Sequence, residues 1–157
     1  MSTPGGIPVV DTHQHLWDLA EQRVPWLPGS GPLARSFTMA DYREATRGLP
    51  VKAVYMEVDV APEDKAAEAE RVIRHCEDAA TPTKGAVIGG RVADPGFAAY
   101  LDRFKGVRWI KGVRQVLHGE TIITALSDDA DCLVEKLRAP DLGIIAFTRA
   151  RHGRSLY

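Results

Sequence analysis

Short apolar or alternating runs recur along the chain at Ile7 to Asp11, Ala53 to Val60, Gly85 to Val92, Ile110 to Leu117 and Gly143 to Phe147. Longer stretches with helical spacing separate them. This alternation predicts repeated β-α units and an α/β fold. The clearest helix runs from Pro62 to Ala79. Pro62 suits a first-turn position, Glu63 and Asp64 favour the positive helix start, and Ala69, Val72, Ile73, Cys76 and Ala80 trace an apolar stripe at helical spacing. Shorter helices are predicted near Met39 to Arg47, Gly96 to Phe104 and Asp128 to Leu137, each between two strands. An intervening helix is the usual crossover between parallel neighbours, so a parallel sheet follows.

Two segments depart from this rhythm. Between Trp17 and Pro32 lie two tryptophans, three prolines and two glycines, a long ordered loop directly after the first strand. In a β/α architecture that is where a loop covering the substrate sits, although a hydrophobic plug packed on the scaffold has the same composition. Residues 139–157 lose the pattern and end in a basic tail. The whole chain, 1–157, reads as one domain.

Composition narrows the partners. Twenty basic and twenty-one acidic residues leave a formal charge of −1, so no overall field draws nucleic acid or anionic lipid, and a small neutral molecule is the expected partner. Cys76 and Cys132 lack any CxxC or Cys/His spacing, which argues for inert thiols in a reducing compartment. The first residues carry neither a basic region nor an apolar one, and no apolar run approaches membrane-spanning length, so the expected location is cytoplasmic.

The candidate chemistry gathers at strand ends. Val9 to Asp18 reads Val-Val-Asp-Thr-His-Gln-His-Leu-Trp-Asp, and alternation along a strand puts Asp11, His13 and His15 on one face. Two imidazoles so placed can converge on one metal ion or one substrate oxygen; a structural role for the pair is the alternative. In the second run Tyr55, Glu57 and Asp59 share one face and Val54, Met56, Val58 and Val60 the other. With the apolar face turned to the helices, the polar face points to the centre. Glu57 is then a ligand or proton carrier, or else half of a buried ion pair with Arg91 or Arg114. In the fourth run Gly112, Arg114, Val116 and His118 alternate onto one face, Arg114 offering a fork of donors for a carboxylate or carbonyl and His118 a proton shuttle. His75, on a helix flank, and His152, in the tail, are set aside. No serine elbow, phosphate-cradling loop or dinucleotide fingerprint is present.

The His-x-His segment with its tryptophan continuation, Pro25-Trp-Leu27, Tyr55-Met-Glu-Val-Asp59 and Lys111-Gly-Val-Arg-Gln-Val-Leu-His118 together resemble the amidohydrolase-related family of sugar-lactone and dicarboxylate-lactone hydrolases, over about residues 7 to 120. The resemblance implies a metal-dependent-hydrolase TIM barrel with its site at the C-terminal strand ends. A complete barrel needs roughly 250 residues. The expectation is therefore a barrel truncated to about four or five strands, by a real stop or a reading-frame error, without the late aspartate that activates water in the wider superfamily.

In that scheme His13, His15, Arg114 and His118 are catalytic, and Trp17, Trp26, Glu57, Arg114 and Gln115 contact a lactone substrate. His13, His15 and Glu57 hold a divalent metal, zinc first, in a branch with some metal-free members. The rival expectation is a non-catalytic half-barrel that self-associates through its exposed surface or pairs with a complementary half. A decarboxylase or nuclease of the same superfamily is the third, the nuclease disfavoured by the lack of basic excess.

Overall fold

Among the described residues five strands line up in sequence order, and each pairs with its neighbour in parallel: β1 (Val9–Gln14), β2 (Val51–Met56), β3 (Thr83–Gly89), β4 (Ile110–Val116) and β5 (Ile145–Thr148). The computed structural model describes residues 7–92, 94–116 and 145–148. Consecutive parallel pairing requires a crossover each time, and the described helices supply the first three, the connection from β4 to β5 lying outside the described residues. Helix α1 (Met39–Ala45) links β1 to β2, α2 (Lys65–Glu77) links β2 to β3, and α3 (Phe97–Asp102) links β3 to β4. The α/β parallel architecture expected from the alternation is the one observed. The predicted helix from Asp128 to Leu137 lies outside the described residues, as do His118, Cys132, His152 and, apart from β5, residues 139–157.

Local chemistry sets the helix boundaries. Asp41 Oδ2 reaches back to the Thr38 N–H at 2.8 Å and starts α1. Pro62 opens a single 3-10 turn, Pro62–Asp64, which feeds directly into α2. The apolar stripe of α2 buries Ala69, Val72 and Cys76, whereas Ala80 lies beyond the helix and is exposed. The core fills the space between sheet and helices with Tyr55, Ala86, Ile88 and Val113 from the strands and Val72, Phe97 and Leu101 from the helices. Burial pushes the Cys76 thiol up to about 11, consistent with an inert cysteine. Among the described residues no helix is long and apolar enough to cross a membrane.

One orientation reverses the expectation. Tyr55 does not point to the open centre: its hydroxyl donates to Glu68 Oε1 of α2 at 2.8 Å, while Val54 and Met56 stay half-buried on the other face. The reason is that α2 turns a carboxylate, not only aliphatic groups, toward the sheet. Glu68 is 1% exposed and also accepts the Val58 N–H at 3.0 Å, so the helix layer offers the tyrosine a polar partner.

Candidate active site

The two histidines meet, but without Asp11. Along β1 the pairing with β2 advances from Asp11 opposite Ala53 to Gln14 opposite Tyr55, three residues against two. This bulge breaks the alternation. Asp11 turns to α1, where Oδ2 accepts the Tyr42 hydroxyl at 2.8 Å, and Oδ1 accepts the His13 N–H at 2.9 Å. The rings of His13 and His15 contact edge to face with centroids 4.7 Å apart.

The state of His15 follows from its partner. Nδ1 lies 2.9 Å from the Met56 carbonyl oxygen, which can only accept, so Nδ1 carries the proton and Nε2 presents a lone pair. Burial lowers the pKa below the ordinary imidazole value, against the pull of that carbonyl. At neutral pH His15 is therefore a neutral base or ligand, not an acid.

Opposite it, β2 and β4 bring Glu57 and Arg114 together. Glu57 is fully buried. Its Oε2 accepts the Asp59 N–H at 2.7 Å, and Oε1 stands 2.9 Å from Arg114 Nη1, an ion pair without the alignment of a hydrogen bond. Burial first, then the neighbouring Glu68 charge, push the Glu57 carboxyl up to about 7, while Lys65, the Asp59 N–H and Arg114 hold it down. Of the readings open for Glu57, the ion pair with Arg114 is the one observed.

These groups share one cavity of about 410 Å³ at the C-terminal strand ends, lined by His15, Trp17, Trp26, Glu57, Asp59 and Arg114 among others. Trp17 forms a buried wall, its indole N–H on the Arg35 carbonyl at 2.7 Å and its ring 4.8 Å from Phe37. The Trp26 indole N–H donates to the Val58 carbonyl at 2.6 Å, while 48% of the residue stays exposed. The loop after β1 thus contributes both tryptophans to the cavity. A second cavity of about 350 Å³, lined by Tyr55, Glu68, Arg71 and His75 among others, adjoins α2 and excludes the histidine pair.

Two expected site residues stand elsewhere. Gln115 does not line the cavity: its Oε1 accepts the Val92 N–H at 2.8 Å and secures the chain leaving β3. His13 is exposed beside the cavity and touches it only through His15. The ligand set His13, His15 and Glu57 does not form either, because Glu57 turns to Arg114 and the Asp59 N–H. Among the described residues no three His, Cys, Asp or Glu groups converge as a metal site. The histidine pair suits two ligand positions, and a catalytic zinc usually takes three from the protein.

Asp59, which the sequence places with Glu57 on the polar face without a role of its own, stands beside Glu57, as do Lys65 and Glu68, which are not singled out from the sequence. A Cβ added at Gly89 would lie 3.1 Å from Glu57 Oε2, 3.2 Å from Lys65 Nζ and 3.5 Å from Glu68 Oε2. The signal was available, since Lys65 and Glu68 share the helical stripe of Ala69, Val72 and Cys76.

Comparison with solved structures places this geometry in context. The chain is similar to an amidohydrolase 2 from Bifidobacterium longum subsp. infantis, with 25% identity and a TM-score of 0.59 over 94% of this chain and 53% of that one. It is also similar to an amidohydrolase from Burkholderia multivorans, solved with bound HEPES and with bound zinc, at 26% identity and a TM-score of 0.61 over 85% of this chain and 46% of that one. No family model matches the sequence, and no curated protein does. The likeness identifies the sheet as part of a TIM barrel and supports the amidohydrolase family. The chain spans about half the length of these solved structures.

Proposed function

With this likeness to amidohydrolases as premise, we propose that the chain belongs to a hydrolase that opens a lactone, a sugar lactone first, by adding water to its carbonyl. The observation that carries the reading is His15, whose Nδ1 is tied to the Met56 carbonyl and which lines one cavity with Arg114. A histidine in that tautomer cannot donate from Nε2 to a carbonyl oxygen. Polarising the carbonyl therefore falls to Arg114, and His15 takes the proton of the attacking water. The water oxygen bonds to the carbonyl carbon, the ring C–O bond breaks, and the departing alkoxide takes the proton that His15 accepted from the water, giving the hydroxy acid. Trp17 and Trp26 line the same cavity.

Acid release from an aldono-1,4-lactone, followed by titration at constant pH, tests the substrate. The purified chain is expected to exceed the buffer rate; a rate equal to buffer removes lactone hydrolysis as the activity of this chain.

One observation favours a second reading, a half-barrel that associates with a second copy or a complementary half. Around β1, Ile7 is 86% exposed, Val10 63% and Val9 38%, a row of aliphatic groups at the end of the strand order. Light scattering decides it: a dimer that Val10→Lys dissociates supports this reading, and a monomer contradicts it.

A further inference from the structure

Asp59 stands in the cavity lining with a φ of 50°, in the left-handed region that non-glycine residues seldom occupy and in which its surroundings hold it here. Two contacts do so. Its N–H is on Glu57 Oε2 at 2.7 Å, and its Oδ1 lies 3.2 Å from Lys65 Nζ. The Lys65 side chain is 9% exposed and the Asp59 side chain 41%, so the ammonium fixes the carboxylate from behind while the carboxylate itself remains open. Among the described residues Oδ2 of Asp59 has no partner.

Trp26 is the second wall. Its indole N–H is tied to Val58, next to Asp59 in the chain, and half of the residue is open. The cavity thus presents a fixed anionic acceptor beside an aromatic surface. Arg114 already faces the Glu57 carboxylate. A polyhydroxylated ring meets such a pair well, with a hydroxyl on the carboxylate and its C–H edge on the indole. A second carboxylate on the substrate meets repulsion at the same place.

We infer that Asp59 and Trp26 form a subsite that reads a substrate hydroxyl, so that the cavity takes neutral polyhydroxylated lactones and discriminates against those bearing a further carboxylate. This rests on the lactone reading above and adds to it the residues that select among lactones.

Trp17 and Trp26 both line the cavity, so intrinsic tryptophan fluorescence of the full chain reports its occupation. Three probes separate the terms: galactono-1,4-lactone with hydroxyls only, γ-butyrolactone with none, and glucaro-1,4-lactone with hydroxyls and a carboxylate. A charge-assisted hydrogen bond corresponds to about a tenfold to hundredfold preference, so the first is expected to bind at least tenfold more tightly than either other. Asp59→Asn, which tolerates the left-handed backbone and keeps an acceptor, is expected to tighten glucaro-1,4-lactone about tenfold and leave galactono-1,4-lactone within a few-fold. Asp59→Gly is expected to erase the advantage over γ-butyrolactone. If the lactones bind and neither variant changes their ratios, the subsite is overturned while the lactone reading stands. If no probe binds to the wild-type chain, the lactone reading itself falls, and the subsite with it.

Discussion

Arg114 meets Glu57 twice: Nη1 lies 2.9 Å from the carboxylate Oε1 and 3.2 Å from the carbonyl oxygen of the same residue. The contact ties the end of β4 to the end of β2 across β3, and it sets both the electrostatics of the cavity and its rigidity. Glu57 is fully buried, so its charge depends on what surrounds it.

Removing the guanidinium leaves the buried carboxylate with only the Lys65 charge and the Asp59 N–H to hold it. Arg114→Met is expected to destabilise the fold, by less than the ~3–5 kcal/mol lost when a buried charge keeps no partner at all. Glu57→Gln removes the buried charge instead and is expected to cost less. Urea unfolding of the two variants checks the order; an equal loss, or a larger one for Glu57→Gln, contradicts it.

The same burial predicts a pH dependence. Glu57 has an ordinary value of 4.5 and is pushed up to about 7 in the folded chain. The native state then binds more protons than the unfolded one between these values. This contribution is fully present below about 4.5 and is lost as pH rises through about 7. Glu68 shifts in the same direction through burial. His15, lowered by burial, acts oppositely: it favours folding above its ordinary value of 6.5 and loses that contribution as pH falls. Comparing wild type with Glu57→Gln isolates the first term. Between pH 5 and 8 the wild-type stability is expected to fall relative to the variant, and parallel curves contradict the assignment.

Close packing behind the cavity predicts a contrast between glycines. At Gly90 an added Cβ would lie 2.6 Å from Val113 Cγ1 and 2.7 Å from Phe97 Cε2, both in the core. Gly90→Ala is expected to destabilise by about 1–3 kcal/mol through overpacking. Gly29 has nothing within 4 Å of an added Cβ, and Gly29→Ala is expected to be neutral or slightly stabilising. Thermal melts of the two variants check the difference.

The extent to which this was legible in the sequence follows from what periodicity encodes. The apolar runs located all five described strands, because strand and helix periods differ and a stretch with helical spacing separates each run from the next. Period two divides β2 into two faces but does not say which one meets the helix; Tyr55 faces α2 because Glu68 stands there to accept its hydroxyl. The bulge after Asp11 is likewise invisible to alternation, so the rings of His13 and His15 meet as expected, whereas Asp11 turns to α1 and only His15 of the pair lines the cavity. The Glu57–Arg114 pairing was one of the alternatives the sequence left open, and only tertiary geometry could choose it. Gln115 sits on the strand face opposite Arg114 by the same parity that grouped Arg114 with Gly112, and it serves the Val92 N–H rather than the cavity.

The most direct test of the account is the rate of galactono-1,4-lactone hydrolysis by the wild-type chain and by His15→Asn. The asparagine amide keeps a donor for the Met56 carbonyl in place of Nδ1–H but supplies nothing where Nε2 stands, so fold and chemistry separate. A wild-type rate above buffer that drops about a hundredfold in His15→Asn, with the variant still folded by circular dichroism, is the result the account predicts. An unchanged rate in the variant would contradict it, because the lone pair of His15 would then have no part in the reaction.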